Sequence, residues 1–219
     1  NLSRMKNEIG NLKILEIGSF LGMGSTKILD KYAEVLFCID IWEDSEDNHI
    51  RKKFYKRNRT FFETFLDNTE DSNSKIIPIK CKSSEISRFL KENYFDFVFI
   101  DGSHRYYDVM KDIQTAKKLV KKDGLILGHD CEGSIDDSNH DQFQIDDIKD
   151  LDSVSSSFKN FKEMHPGVIL AVHHSFDQVD IFGKKRIEVQ TPKGPISGAS
   201  SIWRFDPRKV SPGETRLRR

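Results

Sequence analysis

Short apolar runs alternate with stretches of helical spacing along this 219-residue chain. Lys13 to Ile17, Val35 to Ile39, Phe97 to Ile100 and Leu125 to Leu127 are each too short for a helix and almost continuously apolar, which predicts buried strands, and Lys75 to Lys80 predicts a further strand. Between them, Val109, Ile113, Ala116 and Val120 recur at helical spacing, and Asp123-Gly124 predicts a turn into the next strand. Ser25 predicts the cap of a helix beginning near Thr26. Ile50 to Leu66, with Phe54, Phe61, Phe62, Phe65 and Leu66 on one side, predicts a helix with one buried face. From Pro166, the positions Val168, Ala171, Val172 and Phe176 fit another. Val179 to Phe182 and Ser201 to Phe205 read as a final antiparallel pair at a sheet edge. Strands alternating with helices predict an α/β domain with a mostly parallel sheet.

The first strand runs into Leu15 to Ser25, LEIGSFLGMGS, where Glu16 precedes three glycines. Gly18 and Gly22 let the backbone bend and approach a ligand closely. The helix start that follows favours an anionic group, either a carboxylate or a phosphate. The glycines fall as G-x-x-x-G-x-G and not as the G-x-G-x-x-G of dinucleotide sites. Some twenty residues on, Asp40 closes the second strand, where an acid accepts hydrogen bonds from ribose hydroxyls. Glycine turn and acid together favour a nucleoside ligand.

A second signal runs from Phe95 to Asp130. Asp101 emerges at the C-terminal end of an apolar strand, where open α/β sheets place their ligands, and Gly128-His129-Asp130 ends the next strand. Asp101, His104, His129 and Asp130 therefore reach one edge. Carboxylates with an imidazole suit a divalent cation and leave positions for substrate oxygens. His104 stands close enough to share such an oxygen as a proton acceptor near histidine's ordinary pKa.

Glu16, the glycine turn and Ile39-Asp40-Ile41-Trp42 resemble the class I S-adenosylmethionine-dependent methyltransferases. Asp101-Gly102-Ser103-His104, followed by Tyr106, Val109 and Asp112, is similar to the metal-dependent small-molecule O-methyltransferases, a branch that includes enzymes methylating macrolide sugars and, more distantly, catechol O-methyltransferase. The motif HPGVILAV at His165 recurs in that branch, and the resemblance covers most of residues 10–205. It implies a Rossmann-like, mostly parallel seven-stranded sheet with an antiparallel edge strand and helices on both faces. It implies cofactor contacts from Glu16, Gly18, Ser19, Phe20, Gly22, Ser25, Asp40, Ile41, Trp42, Asp101 and the loop Ser83, Ser84 and Glu85 beside the adenine. His104 matches the branch's general base. Asp101 matches a magnesium ligand, and an acidic pair after the next strand supplies the others; here that pair is His129-Asp130, an imidazole in place of the first acid. The implied cofactors are S-adenosylmethionine and a divalent cation, magnesium or alternatively manganese.

Composition sets outer bounds. The expected organisation is one domain over residues 1–206, with 131–165 as a substrate lid or insertion and 207–219 as a basic disordered tail. Formal charge is balanced, 35 basic against 35 acidic residues, so no global field argues for nucleic acid or a membrane surface. Cys38, Cys81 and Cys131 form no disulfide framework and no CxxC, which fits a reducing cytoplasm. Arg51, Lys52, Lys53, Lys56, Arg57 and Arg59 form a basic face, either solvated and balanced by neighbouring acids or attracting an anionic acceptor such as a charged sugar. The expected partner is a small-molecule acceptor, a sugar or glycoside, with a homo-oligomer left open. Three rival functions stand beside O-methylation: a dehydrogenase, which the glycine spacing disfavours; an N-methyltransferase, which needs no metal; and a silent domain that only binds S-adenosylmethionine.

Overall fold

The computed structural model describes residues 3, 7, 10–43, 59–132, 150–155, 163–182, 186–191, 194–199 and 201–209. The chain runs β1 (Leu12–Ile17), α1 (Ser25–Leu29), β2 (Ala33–Asp40), α2 (Phe61–Thr69), β3 (Lys75–Lys80), α3 (Ser83–Ile86), β4 (Phe95–Ile100), α4 (Tyr106–Leu119), β5 (Val120–His129), β6 (Val154–Ser155), β7 (Glu163–Met164), α5 (Pro166–Ser175), β8 (Asp180–Phe182), β9 (Arg186–Thr191), β10 (Gly194–Ala199) and β11 (Ile202–Phe205). Seven strands form the main sheet in the order β3-β2-β1-β4-β5-β11-β8. β3, β2, β1, β4 and β5 are mutually parallel, and β11 lies antiparallel to both β5 and β8. The expected fold class is thereby found, with the predicted antiparallel pair closing the sheet.

Side chains alternate between two cores. Leu12, Ile14, Leu36, Cys38, Phe97 and Phe99 pack on one face with Leu21 and Leu29 near α1 and Phe61 and Phe65 of α2. Leu15, Ile17, Ile39, Phe95, Val98 and Ile100 pack on the other with Val109, Ile113 and Ala116 of α4 and Val168 to Val172 of α5. Both faces of the central strands are covered, which is why β1 and β4 read as mostly apolar runs, interrupted by Lys13 and Glu16 in β1 and by Asp96 in β4.

Register sets the functional edge. Ile17 pairs with Ile39 and with Ile100, and Ile100 with Gly128, so Gly18, Asp40, Asp101 and His129 fall one step further on the same row. Gly18 has φ +89, and a Cβ there would lie 2.1 Å from the Asp101 carbonyl oxygen. Its missing side chain thus makes room for the Asp101 backbone just past β4, and Gly18 also stands on the cavity described below. Gly22 faces Thr69 and Phe65.

Other boundaries move for physical reasons. Ser25 is the first residue of α1 and Gly24 the N-cap, without a side-chain cap, and α1 has only five residues, so its dipole is that of little more than one turn. α2 starts at Phe61 because Thr60 is extended and closes a capping box, with Glu63 N donating to Thr60 Oγ1 at 3.1 Å and Thr60 N to Glu63 Oε2 at 2.8 Å. Of the basic face, only Arg59 is described, 3.7 Å from Asp67; positions 51–57 lie outside the described residues. Val120 opens β5 and does not extend α4, and Asp123-Gly124 is absorbed into that strand as a register shift against Phe95 and Phe97. A Cβ on Gly124 would press on the Asp96 carbonyl at 2.9 Å. Ser83, Ser84 and Glu85 form the helical turn α3 and not an open loop. Of the expected 131–165 lid, 133–149 and 156–162 are not described, while β6 and β7 pair antiparallel. Residues 210–219 of the expected tail also lie outside the description. Among the described residues, no helix is long and apolar enough to cross a membrane.

Candidate active site

A cavity of about 1360 Å³ opens along the C-terminal edge of β1, β2, β4 and β5. It brings together Gly18, Ser19, Phe20, Ser25, Asp40, Ile41, Ser83, Ser84, Glu85, Asp101, His104, His129 and Asp130. Glu16, Gly22 and Trp42 are not among its lining residues and act from behind the wall.

Glu16 continues the alternation of Leu12 and Ile14, so its side chain turns toward α1. It is fully buried, and Oε2 accepts from the Thr26 hydroxyl at 2.7 Å. Burial pushes its carboxyl above the usual range, against the opposing pull of the Ser25 and Thr26 hydroxyls. Among the described residues, Glu16 Oε1 and the Ser19 hydroxyl are buried without a hydrogen-bond partner. Such orphaned polar atoms beside the glycine turn, with open space around Gly24, fit a polar ligand seated there.

Asp40 has a role the sequence did not reveal. Its Oδ2 accepts from the Phe20 backbone N–H and its Oδ1 from that of Trp42, both at 2.8 Å. Phe20 and Trp42 have φ of 43° and 40°, unusual for residues with side chains. The Trp42 indole, 2% exposed, donates to the Phe20 carbonyl at 2.6 Å. One carboxylate therefore clamps the two strained turns that follow β1 and β2.

At the other end, Asp130 also has a left-handed backbone, φ 58°, held by its N–H on the Ser201 carbonyl at 3.0 Å. Gly128 just before it has no room for a Cβ, which would meet the Trp203 ring at 2.4 Å. The Asp130 carboxylate is a hub. Oδ1 lies 2.8 Å from His129 Nδ1, and Oδ2 lies 3.0 Å from His104 Nε2. His129 Nδ1 is also 3.5 Å from Asp101 Oδ1. Hydrogen bonds from His104 and His129 hold the Asp130 carboxyl far below the usual range despite its burial. Asp130 in turn raises both imidazoles. The expectation of a His104 near its ordinary pKa is corrected, because both ring nitrogens face carboxylates, Nδ1 lying 3.1 Å from Asp152. Burial raises Asp101.

His165, Asp152 and Glu132 join this cluster, and no periodicity marked them. His165 Nδ1 lies 2.8 Å from Glu132 Oε1 and 4.0 Å from Asp130 Oδ1, and its ring stands 4.3 Å from that of His104. Gly167 lets α5 pack this closely, since a Cβ would meet the His104 carbonyl at 2.3 Å. The only advance signal was the run HPG at 165–167. His174 caps the same contact through Tyr106, whose hydroxyl lies 2.9 Å from its Nδ1. Asp112, another lining residue, accepts from Ser83, and burial pushes its carboxyl up to about 7. The donors fit a divalent cation in number and spacing: Asp101, His129 and Asp130 place their ligand atoms within 4.8 Å of one another, as do His104, Asp130 and His165.

A mostly parallel sheet closed by an antiparallel pair, with a glycine turn and a strand-end acid on one cavity, defines a Rossmann-like methyltransferase fold. Two solved structures share it: a precorrin 8W decarboxylase from Methanobacterium thermoautotrophicum, 11% identical with TM-score 0.50 over 89% of this chain and 81% of that one, and a protein from Corynebacterium glutamicum, 17% identical with TM-score 0.51 over 94% and 78%. No curated protein sequence matches the chain. Residues 15–131, more than half of the chain, match the family Methyltransf_24, a methyltransferase domain. The chain belongs to that family and is an S-adenosylmethionine-dependent methyltransferase.

Proposed function

We propose that this methyltransferase acts on a hydroxyl of a small molecule, a sugar or glycoside, with a divalent cation assisting. The observation that carries the reading is the meeting, on one cavity, of the glycine turn and Asp40 with Asp101, His104, His129 and Asp130. The resemblance of Asp101-Gly102-Ser103-His104 to small-molecule O-methyltransferases supports the acceptor class.

The clamped turns of β1 and β2 hold the methyl donor, Asp40 offering its remaining lone pairs to the ribose. Glu16 and the hydroxyls of Ser19 and Ser25 lie toward the donor's polar tail. Ser83, Ser84 and Glu85 form the wall for the adenine. Asp101, His129 and Asp130 would hold the cation, which lowers the cost of deprotonating an alcohol. His104 takes the hydroxyl proton at Nε2 once that nitrogen has released its own proton to solvent and left Asp130, while Asp152 keeps the ring oriented through Nδ1–H. The acceptor oxygen then forms its bond to the methyl carbon as the carbon–sulfur pair returns to sulfur, leaving S-adenosylhomocysteine. The protein's main contribution is alignment of oxygen, carbon and sulfur and exclusion of water.

Incubating the protein with methyl-labelled donor and a panel of sugars, glycosides, catechols and amines, with and without chelator, tests the reading. Transfer to a hydroxyl that stops on chelation supports it. Transfer to nitrogen that survives chelation overturns it in favour of N-methylation, and donor binding without transfer to any class points to a silent domain.

A further inference from the structure

Each group of three donors that could share an ion, among the described residues, contains imidazole. One is Asp101, His129 and Asp130, the other His104, Asp130 and His165, and neither offers three carboxylates. Magnesium is a hard ion that prefers oxygen donors and keeps much of its water. Imidazole suits iron, nickel, copper and zinc, whereas manganese shares magnesium's preference for oxygen. The spacing is already that of ligands around one ion: His129 Nδ1 lies 2.8 Å from Asp130 Oδ1 and 3.5 Å from Asp101 Oδ1. Two ligands about 2.1 Å from a shared ion sit about 3.0 Å apart at a right angle and about 3.4 Å apart at a tetrahedral one. Preorganisation supports the same point. Asp130 is held in the left-handed region, φ 58°, by its bond to Ser201, a strained conformation of the kind that clusters at functional sites.

We infer that the cation of this cleft is a transition-series divalent ion, held by Asp101, His129 and Asp130, with His129 Nδ1 as the ligand that selects it over magnesium. This rests on the metal-assisted reading above and narrows it. The ion takes the Oδ1 side of Asp130, and His104 keeps the Oδ2 side, so metal site and base divide one carboxylate between them.

The test is direct metal binding, independent of turnover. Protein freed of metal is titrated with Mg²⁺, Mn²⁺, Co²⁺ and Zn²⁺ by calorimetry, and Co²⁺ is followed by its visible ligand-field absorption. His129→Asp, His129→Gln and His165→Ala are run in parallel, each first melted without metal to establish that it folds. Since affinity rises toward the later first-row ions at most sites, the variants decide. Expected are a loss of Co²⁺ affinity of about tenfold or more in both His129 variants with a changed spectrum, and a magnesium affinity in His129→Asp that meets or exceeds the wild type's. His165→Ala should leave the Co²⁺ spectrum as it was. An unchanged spectrum in the His129 variants, or magnesium bound as tightly as Co²⁺ by the wild type, overturns the inference while leaving metal assistance in place. Loss of the band in His165→Ala but not in His129→Gln moves the ion to the other group and overturns the assignment equally. If no ion binds the wild type, metal assistance fails with it. Should His129→Asp not fold, His129→Gln alone carries the outcome.

Discussion

Replacing Asp40 by alanine probes the hinge on which the cofactor side turns. The carboxylate accepts two backbone N–H groups, those of Phe20 and Trp42, each at 2.8 Å. A hydrogen bond to a charged acceptor contributes about 1.5–3 kcal/mol. The two are not equal. Trp42 is 2% exposed and its N–H would be left without water, so its full value is lost, whereas Phe20 is 40% exposed and water replaces most of the bond. The expected destabilisation is about 2–4 kcal/mol, a drop of roughly 5–15 °C in melting temperature for a domain of this size. Binding of S-adenosylhomocysteine should weaken at least about tenfold, because the turns lose their clamp and the ribose its acceptor. Calorimetric titration and a thermal melt without ligand read the two effects separately. If the ligand-free melt of Asp40→Ala matches the wild type, the clamp contributes nothing and the strain at Phe20 and Trp42 is held elsewhere. Unchanged ligand affinity would show instead that the end of β2 does not face the ribose.

Further outcomes follow from single contacts. Gly18→Ala should fail to accumulate as folded protein, because its Cβ would lie 2.1 Å from the carbonyl of Asp101, which is tied to β1 by its N–H on Ile17 just past β4; a soluble variant with a native circular-dichroism melt contradicts the assigned packing. His104→Ala should cut turnover by about 10²–10⁴-fold with S-adenosylhomocysteine affinity near wild type, and a joint loss of both would make His104 a structural residue. Asp112, pushed up to about 7 by burial, binds a proton in the folded state that the unfolded chain releases near 3.8, so stability falls as pH rises from about 4 to 7. Asp112→Asn, which keeps an oxygen for Ser83, should therefore gain up to about 4 kcal/mol at pH 8, with the advantage vanishing below pH 4; melts with no pH-dependent gap between the two proteins contradict the burial argument. Thr60→Ala removes half of the capping box of α2 and should cost about 1 kcal/mol, read as a small fall in a denaturant midpoint with unchanged slope.

The sequence by itself determined the sheet and the two ends of the site. Buried parallel strands are apolar on both faces, so β1, β2, β4 and the end of β5 stood out as runs, and the acids that close β2, β4 and β5 mark the sheet's edge where the strands align. The places of Gly18, Asp40, Asp101 and His129-Asp130 on that edge were legible for that reason, since place follows from position within a local element. Where an element depended on a competing contact, the local signal misled: Val120 has helical spacing but pairs with Phe95, and Asp123-Gly124 reads as a turn but lies in a strand. Only the tertiary structure decided which atoms meet. Gly18 is glycine because of Asp101, 83 residues away, Asp40 spends its first hydrogen bonds on Phe20 and Trp42, and His165 and Asp152 come to His104 along a path no periodicity encodes. Periodicity is a property of neighbours in the chain, whereas a site is a property of neighbours in space, and the link between them is the strand register and loop path fixed when the two cores pack.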